Sequence, residues 1–249
     1  MSGTSRTGRQ LALDVRLRDG SSFGNFYDLR NREVLTRIKA AAGRVAVTAA
    51  QGGPAEFDQI FLWGESGCGK THLLEAAARL VQEQGFAPAY VPLQMSATCP
   101  PQVLEDLDSS ALICLDDIQA VAGNRPWETA LLHLHERTRA CAGLLLATAT
   151  ASPAHLGAVL PDLATRLCTG LVYQIHDLTD DDKLAALRLR AANRGLDMGE
   201  EVARYVLSRY PRDPQALFRL LDRIDQASLA AQRRLTIPFL RVLQEENCA

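Results

Sequence analysis

The sequence predicts an α/β fold in which a five-stranded parallel sheet is flanked by helices and followed by a small all-helical domain. Short apolar runs alternate with helical patterns between residues 59 and 175, and such runs are typical of parallel strands covered on both faces. The glycine-rich segment Gly64–Thr71 lies between the first apolar run and a helical pattern. After Asp177 only helical patterns follow. These boundaries divide the chain into an arm at 1–20, a base domain at 21–176 and a terminal helical domain at 177–249.

The composition argues against several classes of function. The chain has 249 residues, and 47% of them are apolar. Its net charge is −2, so the chain has no overall positive field that would favour direct binding of nucleic acid. Six cysteines form no C-x-x-C pair, which is typical of a reducing cytosol, so we expect a cytoplasmic protein. No apolar run approaches the length of a membrane span, and the first nine residues lack the apolar centre of a signal peptide. We therefore expect no membrane association.

The elements of the base domain are predicted from the spacing of apolar residues. A first helical pattern covers 31–42, and we expect Gly43 to end it. The elements that follow in chain order are strand 59–63, helix 71–84, strand 89–93, a short helix at 101–107, strand 111–115, helix 127–141, strand 143–148, a short helix at 161–167 and strand 171–175.

Four helices are predicted in the terminal domain. Capping residues mark their starts, and proline at a first helical position supports the third of them. In chain order the helices cover 181–194 after the N-cap Asp180, 200–209, 214–232 after Asp213, and a last segment that begins at Thr236.

The segment Gly64–Thr71 has the sequence GESGCGKT and fits the pattern G-x-x-x-x-G-K-[ST] of the phosphate-binding P-loop. Glycines let backbone N–H groups point towards a phosphate, and the N-terminus of the next helix adds partial positive charge. Lys70 would reach the β- and γ-phosphates, and the Thr71 hydroxyl would ligate Mg²⁺. The predicted phosphate-site residues are Gly64, Glu65, Ser66, Gly67, Cys68, Gly69, Lys70, Thr71 and His72.

Acidic and polar residues end the next predicted strands. Asp116 follows an apolar strand, as in P-loop enzymes that bind Mg²⁺ through such an acid, and Asp117 is a candidate to orient an attacking water. Thr148 and Thr150 lie at the end of another strand, the edge that faces the crevice of a parallel sheet. Two interpretations stay open for them: contact with the γ-phosphate or its water, and a local bond to the backbone.

A further candidate is Arg166, which follows Pro161-Asp-Leu-Ala-Thr in a short helix. The P-loop, the Leu-Asp-Asp-Ile-Gln segment at 115–119, this arginine and the terminal helices together resemble AAA+ ATPases of the DnaA clade, over roughly residues 20–245. The resemblance implies a helical lid over the sheet and ATP or ADP between the two. It also implies that Phe26 and Tyr27 lie near the adenine and that Arg166 acts in trans, as a finger on a neighbour's phosphates.

The arm contains Gln10-Leu-Ala-Leu-Asp-Val15, which resembles the motif that docks on the DNA polymerase sliding clamp. Gln10 would fill a polar subsite, while Leu11, Leu13 and Val15 would fill an apolar cleft. A short strand packed against the core is the alternative interpretation. No helix-turn-helix pattern follows the lid, so we expect direct origin recognition to be missing.

Clamp motif and core together resemble the Hda family of regulatory inactivators of DnaA. This resemblance implies that the protein binds the clamp, contacts DNA indirectly through it, and stimulates ATP hydrolysis by DnaA to prevent re-initiation. It does not decide whether the protein forms a homo-oligomer, or whether ADP or ATP is the resting nucleotide.

One departure from the AAA+ pattern concerns the lid arginine at the start of the third lid helix. Gln215 occupies that place, and Arg212 is the candidate to replace the arginine from the preceding turn. Together with Asp117, where many relatives carry Glu, this departure predicts slow or absent turnover of the protein's own ATP.

Three alternatives remain. A helicase loader of the DnaC type would need a helicase-binding N-terminal domain, and the arm is short. A small-molecule P-loop kinase would need substrate-binding insertions in place of a helical lid. A non-catalytic adaptor that binds nucleotide for structure alone overlaps with the regulator hypothesis.

Overall fold

The fold is described from a computed structural model, which describes residues 21–51, 56–107, 110–211, 213–231 and 235–245. All four predicted clamp-binding residues and one lid candidate therefore lie outside the described residues: Gln10, Leu11, Leu13, Val15 and Arg212.

The base domain is built on a parallel sheet of five strands in the order β2-β3-β4-β1-β5. β1 and β4 run in register from the pair Asp58–Leu144 to the pair Trp63–Ala149, so both strands begin and end at the same edges. This confirms the predicted sheet. The strands are β1 Asp58–Trp63, β2 Pro88–Pro92, β3 Leu112–Asp116, β4 Leu144–Ala149 and β5 Leu171–Gln174.

Helices cover both faces of the sheet because the three central strands are apolar on both sides. Helices α1 and α2 form one buried cluster with one face of the sheet. Helices α3 and α4 form a second cluster with the opposite face. No helix in the described part of the chain is long and apolar enough to cross a membrane. The helices are α1 Arg32–Gln51, α2 Lys70–Glu83, α3 Arg125–Ala140, α4 Pro161–Leu167, α5 Asp180–Asn193, α6 Glu200–Arg209, α7 Pro214–Ala231 and α8 Ile237–Glu245.

The prediction that Gly43 ends the first helix was wrong, because α1 continues to Gln51. A glycine inside a helix costs only about 1 kcal/mol relative to alanine. The side chain of Val45 packs against the core cluster beyond it, and this tertiary contact offsets the local cost.

Two shorter predictions also need correction. Residues 101–107 were predicted as a short helix, but a 3-10 helix covers only Pro101–Leu104, since Glu105 is extended and Asp106 has a positive φ of 65°. The N-cap of α5 is Thr179 rather than Asp180. The Thr179 hydroxyl accepts a hydrogen bond from the Asp182 N–H, and the Asp182 carboxylate accepts one from the Thr179 N–H. This reciprocal pair is a capping box, and it makes Asp180 the first residue of the helix.

The lid, helices α5 to α8, has its own buried apolar cluster and contacts the base through a short segment before α1. The side-chain amide of Asn193 donates to the Gly24 carbonyl at 3.0 Å and to the Asn25 side chain at 2.8 Å. The side-chain amide of Asn31 donates to the His176 carbonyl and accepts from the His176 N–H, just before the lid begins. The 3-10 turn Phe23–Asn25 therefore lies between base and lid.

A fully buried carboxylate sets the start of α4. Glu128, on α3, accepts backbone N–H bonds from Gly123 at 2.7 Å, Val159 at 3.0 Å and Leu160 at 2.7 Å. Leu160 is the N-cap of α4 and supplies no capping side chain of its own. Glu128 therefore caps α4 from a neighbouring helix and fixes the position of one helix relative to the other.

Glu128→Gln is expected to lower the free energy of unfolding by about 2–4 kcal/mol, because the amide nitrogen leaves buried N–H donors without an acceptor. Urea denaturation measures this loss. Glu136→Gln is the matched control, since its exposed carboxylate lies on the same helix and its loss should change stability by about 0.5 kcal/mol or less. Equal midpoints for both variants would contradict the capping role.

Candidate functional site

The P-loop connects the end of β1 to the start of α2, as the motif requires. Gly69, the N-cap of α2, has a φ of 104°, a left-handed conformation that suits only glycine well. A Cβ at Gly69 would lie 2.9 Å from Cε2 of Phe26, and one at Gly64 would lie 2.5 Å from the Ile175 carbonyl oxygen. The loop thus packs tightly between an aromatic ring and the backbone that follows β5.

Lys70 points into this loop. Its side chain is buried, and Nζ donates to the carbonyl oxygens of Gly64 at 2.8 Å and Glu65 at 2.7 Å. The Cys68 Sγ lies 3.7 Å from the same Nζ. Burial raises the pKa of the Cys68 thiol, against the opposing charge of Lys70, so this residue serves as a small neutral packing group. The acceptors of the Lys70 ammonium are uncharged, and an anionic phosphate would be a stronger partner for it.

Asp116, at the end of β3, collects three hydroxyl groups. Its Oδ2 accepts from Thr71 at 2.8 Å and from Tyr90 at 2.7 Å, and its Oδ1 accepts from Thr148 at 2.5 Å. The structure therefore brings together the predicted metal ligands Thr71 and Asp116. A hydroxyl and a carboxylate are oxygen ligands of the kind that Mg²⁺ takes, so these residues fit the metal that the motif implies.

Sequence reasoning missed Tyr90. It lies on β2, and β2 pairs with β3 so that Tyr90 faces Cys114, two residues before Asp116. Burial, with the nearby Asp116 carboxylate, raises the pKa of Tyr90, which keeps its hydroxyl protonated as a donor. No local pattern marks this residue, because its role depends on which strand neighbours β3.

The second acid, Asp117, has a left-handed backbone with φ 63° and ψ 56°. Its Oδ2 accepts from the Gln94 amide at 2.6 Å, and its Oδ1 accepts from the Gln119 amide at 2.9 Å. The Asp117 N–H donates to the Thr148 hydroxyl at 2.9 Å. Both carboxylate oxygens that would orient a water thus already accept amide hydrogens.

Thr148 links the two acids, since its hydroxyl donates to Asp116 and accepts from the Asp117 N–H. Neither interpretation of Thr148 included this bridge, and the contact with a phosphate stays a prediction. The backbone N–H of Thr150 donates to the Gln119 side chain at 3.1 Å.

The aromatic residues before α1 lie beside the P-loop. The Phe26 ring packs on Gly69, and its centroid is 5.7 Å from that of the His72 ring. Nε2 of His72 lies 2.8 Å from the Ser22 carbonyl oxygen. Tyr27 follows and is half-buried. Phe26 and His72, both predicted as nucleotide-site residues, are thus in contact at the start of α2.

Arg166 lies far from this site. The Gln59 amide donates to the carbonyl oxygens of Arg166 at 3.1 Å and Leu167 at 2.9 Å, which places the end of α4 beside the amino end of β1. The P-loop begins at Gly64, five residues further along, or about 16 Å at the usual strand rise. The Arg166 side chain is 40% exposed, and its Nη2 lies 3.8 Å from the Glu136 carboxylate. The structure does not bring Arg166 to the chain's own P-loop.

At the third lid helix the predicted start is confirmed. α7 begins at Pro214, and the Asp213 carboxylate caps it by accepting from the Ala216 N–H at 2.8 Å. Gln215 is therefore the second residue of α7, as the alignment of the motif predicted.

Comparison with known proteins agrees with this architecture. Residues 180–243 match the family model of the Hda lid domain, and residues 31–98 match that of the bacterial DnaA ATPase domain. A structure of the replication initiator DnaA, bound to AMPPCP and single-stranded DNA, aligns with a TM-score of 0.68 at 19% identity, over 92% of this chain and 70% of that one. The terminal helices are thus similar to the Hda lid domain, and the first part of the base domain is similar to the DnaA ATPase domain.

Two further structures show the same fold. Domain III of Thermotoga maritima DnaA aligns with a TM-score of 0.64 at 19% identity, over 93% of this chain and 98% of that one. Thermotoga maritima RuvB aligns with a TM-score of 0.61 at 16% identity, over 90% of this chain and 73% of that one. At these identities the likeness establishes the AAA+ fold, a parallel sheet with a helical lid.

Tyr90→Phe is expected to weaken nucleotide binding about tenfold in Mg²⁺ and to leave binding in EDTA unchanged, because Tyr90 orients the predicted metal ligand Asp116. Titration of a fluorescent ADP in the two buffers measures both affinities. Tyr173→Phe is the control: this tyrosine lies on β5, and its hydroxyl donates to Glu33 of α1 and not to Asp116. An unchanged ratio of the two affinities in Tyr90→Phe would refute the positioning role.

Proposed function

We propose that the protein binds ATP or ADP with Mg²⁺ at the P-loop and, docked on a DNA-loaded sliding clamp, stimulates the hydrolysis of ATP by DnaA. The matches to the Hda lid and the DnaA ATPase domain support a DnaA-related AAA+ regulator of replication. The conversion of DnaA to its ADP form would prevent re-initiation.

Nucleotide binding is supported by the geometry of the loop. Lys70 is buried within the loop that would surround the phosphates, and Thr71 and Asp116 share a hydrogen bond at its edge. Mg²⁺ held by these two residues would neutralise charge on the β- and γ-phosphate oxygens. Phe26 closes one side of the loop at Gly69.

The position of Arg166 is the observation that carries the proposal for DnaA. Its guanidinium is exposed at the amino edge of the sheet, whereas the P-loop lies at the carboxyl edge. An arginine at the amino edge can contact the phosphates of a nucleotide bound to another molecule, and the planar guanidinium suits a phosphate group. The ion pair with Glu136 is exposed, and such pairs contribute about 0.2–1 kcal/mol, so little opposes its release.

Slow turnover of the protein's own nucleotide is supported by Asp117. Its carboxylate accepts bonds from two amides, and a water that it orients would have to displace one of them. The protein thus acts on the hydrolysis of a partner more than on its own.

Arg166→Ala is expected to abolish the stimulation of DnaA hydrolysis, a loss of about 10³-fold or more by analogy with other arginine fingers, while nucleotide and clamp binding stay at wild-type level. Release of phosphate from ATP-loaded DnaA on clamp-loaded DNA measures the rate. Arg139→Ala, an exposed arginine on the neighbouring helix, is the control and should stimulate normally. Normal stimulation by Arg166→Ala would exclude the finger role.

The clamp contact rests on the arm sequence. The double variant Gln10→Ala/Leu11→Ala is expected to lose capture by the immobilised clamp, because it removes the polar anchor and one apolar anchor of the motif. A pull-down compares it with the wild type and with Arg9→Ala, which lies just outside the motif. Equal capture of wild type and double variant would favour the helicase-loader alternative.

A further inference from the structure

A buried arginine of the lid lies against the helix that follows the P-loop. Arg190, on α5, is 7% exposed. Its Nη2 donates to Nδ1 of His72 at 2.9 Å, and its Nε donates to the Asn25 carbonyl oxygen at 3.0 Å. Its guanidinium lies 3.5 Å from the centroid of the Phe218 ring on α7. One side chain of α5 thus contacts α2, the segment before α1, and α7.

Arg190 has no carboxylate within ion-pair distance among the described residues. The acids of α7 that face α5, Asp222 and Asp225, pair instead with Arg194, one turn further along. Burial, followed by the charge of Arg194, lowers the pKa of Arg190 to about 10, and Asp222 opposes this shift. The cation is therefore buried with neutral partners, an arrangement that an anion nearby would stabilise.

The predicted phosphate site lies at the start of α2, the helix whose His72 Arg190 contacts. His72 lies two residues after Lys70, about 3 Å along the axis of α2. It directly follows Thr71, the predicted ligand of Mg²⁺, and its ring touches Phe26, which packs on Gly69. The N-terminus of α2, where a phosphate would bind, is thus joined to Arg190 through one imidazole ring.

We propose that Arg190 couples the lid to nucleotide occupancy, so that the negative charge of a bound nucleoside diphosphate or triphosphate favours docking of α5 on α2. The proposal rests on the proposed nucleotide binding. By reciprocity, docking of the lid through Arg190 raises nucleotide affinity by the same factor. Arg190 then serves the lid-arginine role at a place other than Gln215, on the first lid helix instead of the third.

Two measurements on the whole chain test this coupling: the affinity for fluorescent ADP, and amide hydrogen exchange over residues 180–193 with and without ADP and Mg²⁺. Arg190→Ala is expected to bind ADP about tenfold more weakly and to lose the protection that ADP confers on α5. Arg190→Lys keeps the positive charge but not the planar guanidinium. Its ADP affinity and its protection of α5 should lie between those of the wild type and those of Arg190→Ala. Arg188→Ala, an exposed arginine on the same helix, should match the wild type in both measurements.

A second variant covers the case in which Arg190→Ala does not fold. His72→Phe keeps an aromatic ring beside Phe26 but removes the acceptor of Arg190 on α2, so it should also lose the ADP-dependent protection of α5. Wild-type affinity and wild-type protection in either folded variant, even at a lower melting temperature, would overturn the proposal and leave Arg190 a packing residue. Lys70→Ala separates the two claims: if it binds ADP as the wild type does, nucleotide binding at the P-loop fails, and the coupling fails with it.

Discussion

The carboxylate of Asp116 ties four elements of the fold to one point. It accepts hydroxyl hydrogens from α2, β2 and β4 while belonging to β3 itself. A buried carboxylate is costly unless its oxygens are bonded, and these three donors satisfy it. The start of α2, and with it the P-loop, therefore has one position relative to the carboxyl edge of the sheet.

The same sheet separates two groups of candidate functional residues. Its carboxyl edge carries the P-loop, the acids and the contact to the lid, while its amino edge carries Arg166. Glu128 fixes the start of α4, the helix on which Arg166 lies. Under the proposed function, a nucleotide would bind at one edge, and Arg166 would face a partner at the other.

The sequence predicted the elements that local patterns determine. All five strands match their predicted bounds to within one residue, since short apolar runs mark the strands, including β5, which is mostly exposed. Predictions failed where a distant contact outweighed a local signal: packing beyond Gly43 continued α1, and Asp182 reached back to make Thr179 the cap. Tyr90 and Arg190 were missed for a related reason, because their partners depend on strand order and on how the lid docks.

The separation of the P-loop from Arg166 is the central claim, and a distance measurement tests it most directly. A nitroxide on the exposed Cys168, two residues after Arg166, with the other accessible cysteines replaced by serine, is combined with Mn²⁺·ADP in place of the magnesium nucleotide. Pulsed electron paramagnetic resonance should give a distance between Mn²⁺ and the nitroxide of about 16 Å or longer, from the strand rise between Gln59 and Gly64. A distance of roughly 10 Å or less would bring Arg166 to the chain's own nucleotide and contradict action in trans.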